Sequence, residues 1–346
     1  MVRSARILLL LLALGGIAVT TARAQTPAAA QPPTPTFAPI ALPGPYFEPD
    51  PLLDRPPLPP PGWFADLDLG VVIPHVKNHL SAPVQLGFVG PVQQAIAAPS
   101  PNTVALPSAG LDWTVFPRFE AGYRLPSGFG SVALSYRFLG TEGNSTAAGL
   151  DGPAALHSRL DLNEIGLDYT SYETSLWPNW DMKWSLGLRM LWVYFDSRAD
   201  ESAVLAAAGS MVFDQQESNW YAGFGPHTGL ELDRQFAGTG LSLVLQGDFS
   251  IYLGRQKQRY SAASTAGPNG ALLFGETDES QVQAVPTLGT FVGVRWQPPQ
   301  WQAAEFYLGY QYEHWWSIGK NTQTDSRSVT GELNVQGIFL RAAFNF

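Results

Sequence analysis

From Trp63 to Phe346 apolar and polar residues alternate with a period of two, in ten short segments. In the first, Trp63, Ala65, Leu67, Leu69, Val71 and Ile73 share a face, with Asp66 and Asp68 opposite. The second sets Leu111, Trp113, Val115, Phe119, Ala121, Tyr123 and Leu125 against Asp112, Thr114, Arg118, Glu120 and Arg124. A turn at Pro126-Ser127-Gly128 leads to Val132, Leu134, Tyr136 and Phe138 against Ser131, Ser135 and Arg137. Successive side chains of a strand point to opposite faces, whereas a helix repeats every 3.6 residues, so these segments are predicted strands. The fourth changes phase. Leu160 and Leu162 share a face that Ile165, Leu167 and Tyr169 then take over, which predicts a bulge near Asn163-Glu164 and turns Asp161 and Glu164 to the polar side.

The other six keep strict phase. Their apolar faces carry Trp184, Leu186 and Leu188 in the fifth, Phe224 and Leu230 in the sixth and Leu243, Leu245 and Phe249 in the seventh. Val292 and Val294, Leu308 and Tyr310, and Leu340, Phe344 and Phe346 continue the series in the last three. No run of eighteen apolar residues follows the amino-terminal region, so no membrane helix is predicted there. The connections alternate in length. Segments 75–110, 140–158, 196–217, 255–280 and 317–330 are long, and those at 126–129, 170–181, 234–240 and 297–303 are shorter. Aromatics fall at both ends of the apolar faces: Trp63, Tyr123, Tyr169, Trp184, Trp296, Phe344 and Phe346 at one, Trp113, Phe138, Tyr194, Trp220 and Trp316 at the other. Two aromatic girdles and alternating connections predict an all-β, antiparallel, up-and-down transmembrane β-barrel with both termini in the periplasm. The count is about 10 strands, within a range of about 8 to 12. Pro117, Pro226 and Pro286 sit inside predicted strands, where each lacks a ladder donor, and local bulges are expected there.

The amino terminus adds an export signal. Arg3 and Arg6 precede an apolar run from Ile7 to Ala18, and Ala22-Arg23-Ala24 is a small-x-small site, so residues 1–24 read as a signal peptide cleaved before Gln25. Fourteen prolines between Thr26 and Pro61 follow. Lacking amide donors, residues 25–61 form a predicted disordered or polyproline II linker, reaching roughly 110 Å at about 3.1 Å per residue, with cell-wall contact as its candidate partner. The barrel is then 62–346. Cleavage removes Arg3, Arg6 and Arg23 and no acid, leaving 17 basic and 29 acidic residues, a balance of −12. Such a chain is a poor partner for nucleic acid. The absence of cysteine excludes disulfides, thiol chemistry and a lipoprotein anchor. The last strand ends with Phe344 and Phe346 in phase with Leu340 and Ala342. That ending resembles the signal read by the barrel-assembly machinery of Gram-negative outer membranes.

Several strand sequences are similar to those of a known family. Phe119-Glu120-Ala121-Gly122-Tyr123-Arg124-Leu125-Pro126, Leu134-Ser135-Tyr136-Arg137-Phe138-Leu139, Leu160-Asp161-Leu162-Asn163, Gly223-Phe224-Gly225-Pro226-His227-Thr228-Gly229 and Gly309-Tyr310-Gln311-Tyr312-Glu313-His314-Trp315-Trp316 together resemble the pore-forming major outer-membrane-protein family first described from Legionella and common in planctomycetes. The Pro-rich lead-in suits the planctomycete members. The resemblance spans roughly residues 63–346 and implies an outer-membrane pore. It supplies no functional residues to transfer.

Alternation turns a mixed set of charges inward. The expected pore lining is Asp66, Asp68, Asp112, Arg118, Glu120, Arg124, Arg137, Asp161, Asp168, Arg189, His227, Glu231, Asp248, Arg295, Glu313 and Arg341, with Glu164 and Lys183 on the same faces. Buried charges must be paired or hydrated. An eight-stranded barrel is just wide enough for side chains to fill, and ten strands lie close to that limit. The expected function is therefore a narrow or gated pore for ions or small solutes in the outer membrane, in contact with its lipid. One alternative is a closed structural or adhesive barrel acting through its outside loops; another is a barrel-embedded hydrolase. No catalytic set or cofactor is expected. His227 lacks an accompanying serine motif and reads as a satisfied lumen residue. His75 and His79 have metal-like spacing but no third ligand. Gly223, Gly225 and Gly229 leave room for bulky neighbours rather than forming a phosphate loop. Solute, selectivity and oligomeric state are not legible.

Overall fold

The structure, a computed structural model, describes residues 61–76, 83–85, 103–105, 109–148, 153–200, 212–236, 239–265, 272–298, 300–301, 303–322 and 328–346. The expected signal peptide, the Pro-rich segment up to residue 60 and His79 lie outside the described residues. Ten strands form the wall: β1 (Gly62–Val76), β2 (Thr114–Arg124), β3 (Ser131–Ala148), β4 (Pro153–Thr170), β5 (Trp180–Asp200), β6 (Val212–Phe236), β7 (Leu241–Thr265), β8 (Leu272–Trp296), β9 (Ala304–Thr322) and β10 (Ser328–Asn345). Each pairs antiparallel with its chain neighbours, and β10 returns to pair with β1, so the sheet closes on itself. Closure leaves the sheet no edge strand, the condition for a sheet in lipid. The seam runs from Phe64↔Asn345 to Val76↔Leu333, and the Phe346 amide donates to the Trp63 carbonyl at 2.8 Å. No described helix is long and apolar enough to cross a membrane.

The apolar faces point outward. Leu134, Leu167, Leu186, Leu308 and Ile338 are all exposed on the outer wall. Ring pairs gather at the end carrying Gly62 and Phe346, the near end: Trp63 with Tyr123 at 5.2 Å, Tyr169 with Trp184 at 5.5 Å and Trp296 with Phe306 at 6.1 Å. The predicted turn at Pro126–Gly128 is a single 3-10 turn, and Gly130, at φ +87°, completes it.

Three expectations are corrected. Four of the five connections at the far end are shorter than predicted, because the strands continue into them, while the first still runs from 77 to 113. β3 and β4 together leave only residues 149–152, and β7 and β8 leave 266–271. Beyond the lipid both faces can be polar, so alternation fades while pairing persists. The predicted bulge at Asn163-Glu164 is absent: β4 holds one register against β3 and β5 throughout. The prolines are not bulged either. Pro117 stays opposite Leu69 of β1, Pro286 opposite Ile251 and Pro226 opposite Leu188. Where Pro226 meets β7, the bridges lapse between Ser250↔His227 and Leu253↔Phe224 without a change of register. There the wall is closed by contact: a Cβ on Gly225 would lie 1.7 Å from the Ile251 carbonyl oxygen. Among the ten wall strands the register shifts between β9 and β10, from Trp315 to Gly319, where Ser317 has φ +57°.

Candidate functional site: the barrel interior

The lumen is layered. At the near end Lys183 lies 2.7 Å from Glu173 and 3.4 Å from Glu231. Arg295 pairs with Asp233 and lies 3.8 Å from Glu305, which accepts a 2.9 Å hydrogen bond from the Tyr307 hydroxyl. Arg341 donates to Asp68 at 2.7 Å and lies over the Tyr307 ring. Arg124 donates to Asn345 beside the Phe64 ring. Asp66 and Asp68 of β1 face Glu120 and Arg118 of β2 in register.

Further in, Arg137 crosses the lumen. Its guanidinium donates to Glu164 of β4 at 2.8 Å and to Glu313 of β9 at 2.5 Å. The Phe116 and Trp315 rings flank it, with centroids 5.1 and 5.7 Å away, a cation–π arrangement that guanidinium's planarity suits. Glu164 also accepts from the Tyr252 hydroxyl at 2.9 Å, and Arg189 lies 3.4 Å from its other oxygen. His227 is enclosed between Asp168 at 2.9 Å and Asp248 at 3.1 Å. Each ring nitrogen therefore meets a carboxylate oxygen, and the ring is fixed from both sides. Arg118 is the exception in this layer; it pairs locally with Glu120 at 2.6 Å and is partly open. A polar cavity of about 20 Å³, lined by Arg118, Arg137, Arg189, Asp248 and Glu313 among others, has room for an ordered water. The Nε atoms of Arg137 and Arg189 have no hydrogen-bond partner among the described residues.

Above the charges the lumen turns apolar. Val72, Leu139, Leu160, Leu162, Leu191, Tyr221, Tyr252 and Trp315 belong to one buried cluster, with Tyr252 and Trp315 stacked 5.9 Å apart. These residues come from strands all round the wall, so their side chains meet over the axis.

Fourteen of the sixteen expected lining residues face the interior, and two do not. Asp161 lies on the outer surface, ion-paired with Arg159 at 2.8 Å, because β4 lacks the bulge that would have turned it inward. Asp112 precedes β2 and is exposed, its amide donating to the Glu142 carbonyl at 3.1 Å. The same lost bulge sends Leu160 and Leu162 inward, which makes the apolar cluster the main feature that sequence reading missed. Extending the phase of Ile165, Leu167 and Tyr169 unbroken through β4 would have found both. Trp315 was also legible, since its neighbour Trp316 is outward. Among the described residues no group of three or more His, Asp or Glu side chains could hold a metal, and His75 is exposed.

A closed barrel with an apolar outer wall, aromatic rings at the near rim and charges enclosed within defines an integral outer-membrane β-barrel protein. The family described as Legionella pneumophila major outer membrane protein precursor matches residues 89–346, and the chain belongs to it. No curated relative matches the chain. Among solved structures, the Pseudomonas putida toluene transporter TodX is 10% identical over 82% of this chain and 90% of its own, with a TM-score of 0.39. The Escherichia coli outer membrane protease OmpT is 11% identical over 82% and 97%, with a TM-score of 0.38. Neisserial surface protein A is 13% identical over 82% and 97%, with a TM-score of 0.24. Likeness at this level says nothing of what the chain passes or cleaves.

Proposed function

We propose that this protein is a narrow, gated pore of the outer membrane, held closed by its own side chains and passing ions or small solutes passively when they part. The charged layer supports this reading most. A buried ion pair is commonly no more stabilising than apolar residues of the same volume, and often less so. A barrel that needed only to be filled would be filled throughout as it is at the apolar cluster. Instead Lys183, Arg137, Arg189, Arg295 and Arg341 alternate with carboxylates from the near end to mid-depth. Above them the apolar cluster acts as a constriction that stays closed by excluding water. The reading assigns no catalysis: His227 is held between Asp168 and Asp248 as part of the lining.

The test is conductance in planar bilayers of the folded protein and of Arg137→Ala. The gated pore gives infrequent openings in the wild type and a higher open probability in the variant. Silence of both, with folding intact, would overturn it. The apolar cluster favours a second reading, a closed structural barrel acting through its outside connections. That reading expects silence from Trp315→Ala as well.

A further inference from the structure

At the far end of the lumen, above the apolar cluster, β6 and β7 turn a row of buried amides inward around one carboxylate. Glu217 is fully buried, with no cation beside it among the described residues. Its Oε1 accepts from Gln258 Nε2 at 2.7 Å and from Asn219 Nδ2 at 3.5 Å, while its Oε2 has no hydrogen-bond partner there. Gln256, also buried, donates to the Asn219 carbonyl oxygen at 3.3 Å, and its own Oε1 is likewise without a partner. Both open positions are acceptors. Just below, Asn219 shares the lining of a cavity of about 10 Å³ with Val76, Leu160, Val193, Phe195, Ile318 and Leu333. On the outer wall at this height β6 carries Ser218 and Gln216 beyond Trp220, and β5 carries Asp196, hydrogen-bonded to both, so the site stands clear of the apolar band.

Burial pushes the Glu217 carboxyl up to about 8, and a cation that joins it would take the place of that proton and offset the cost of the buried charge. The surroundings choose which cation. Calcium takes about six to eight oxygen ligands, which a floor of Val, Leu, Ile and Phe does not offer. An ammonium group has N–H donors for the carboxylate and an amide oxygen, and a short carbon substituent fills an apolar recess. We infer that Glu217, Gln256 and the recess beneath Asn219 form a binding site for a small organic ammonium ion of methylammonium or ethylammonium size. The inference stands on this geometry alone and holds whether or not the barrel conducts.

Saturation-transfer NMR of methylammonium and ethylammonium on the full protein in lipid nanodiscs tests it, with ethanol, acetate and sodium chloride as controls. Transfer to either ammonium should saturate at a concentration at least tenfold below that for ethanol. Acetate should show none, and equimolar sodium should fail to displace the ammonium. Glu217→Gln keeps the shape and should abolish the difference between ethylammonium and ethanol. Gln256→Leu keeps the carboxylate and should weaken ammonium binding several-fold, so the site is tested even if one variant folds poorly. Equal affinity for ethanol and ethylammonium, displacement by equimolar sodium, or undiminished ammonium binding in Glu217→Gln would overturn the inference.

Discussion

Arg137 of β3 meets Glu313 of β9 at 2.5 Å although β2, β1 and β10 lie between their strands on the nearer way round the wall. The contact is a strut through the lumen. With Glu164, its register partner on the adjacent β4, as second anchor, it ties the β3–β4 pair to β9 across the lumen. Arg137→Ala therefore leaves two buried carboxylates without their main cation and is expected to cost about 3–5 kcal/mol. Arg118→Ala removes only the local, partly open pair with Glu120 and should cost about 1 kcal/mol or less. The temperature at which each loses its heat-modifiable folded band on gels ranks them. Equal losses would show that the strut carries no special burden.

Gly225 and Gly247 form a matched pair for testing wall contact. A methyl at Gly225 would strike the Ile251 carbonyl where the bridges to β7 lapse, while one at Gly247 meets nothing within 4 Å. Gly225→Ala should lower the yield of folded barrel sharply, by roughly the 1–3 kcal/mol that overpacking costs. Gly247→Ala should leave the yield unchanged. Refolding into lipid vesicles, read by protection of the barrel from protease, measures both.

Phe346 ends the seam. Its amide reaches Trp63 and its ring is exposed in phase with Phe344. We expect deletion of Phe346, or Phe346→Asp, to reduce folded protein in outer membranes, both because the seam loses its last bond and because the proposed assembly signal loses its aromatic. Deletion should be the more severe, since the Asp variant keeps the backbone donor. Identical, undiminished yields for both would remove the assembly role.

Export is predicted to cleave between Ala24 and Gln25, since Ala22 and Ala24 offer the small side chains that cleavage needs. Intact mass of membrane-extracted protein checks this. A chain still carrying Ile7 to Ala18 would refute it.

The wall was legible because lipid outside and charge inside impose opposite demands on alternate residues. Leu134 beside Ser135, or Leu188 beside Arg189, can satisfy both in only one orientation. The far half of the lumen was not legible for the same reason. Where the interior is also apolar, as at Leu160, Leu162 and Leu191, alternation no longer marks which face is which. A phase change in β4 was then inferred where the strand is continuous. The prolines misled in a related way. Pro226 does lack a donor, but close approach of Gly225 to β7 keeps the register without a bulge. Most of the expected charges do face the interior, but their pairing was not legible, since Arg137 joins Glu164 on the adjacent strand to Glu313 on the opposite wall.

β6, β7 and β8 each run for 25 residues, far more than the about 9–11 that a tilted strand needs to cross a bilayer. Beyond Trp220, β6 continues to Val212, roughly 25 Å of further strand at about 3.3 Å per residue. On that side the barrel is a pedestal. The strand ends that leave it, Val212 of β6 and Thr265 of β7, stand well beyond the apolar band. At that height neither lipid outside nor charge inside dictates which residues alternate, while the strut, the apolar closure and the seam below keep their own constraints.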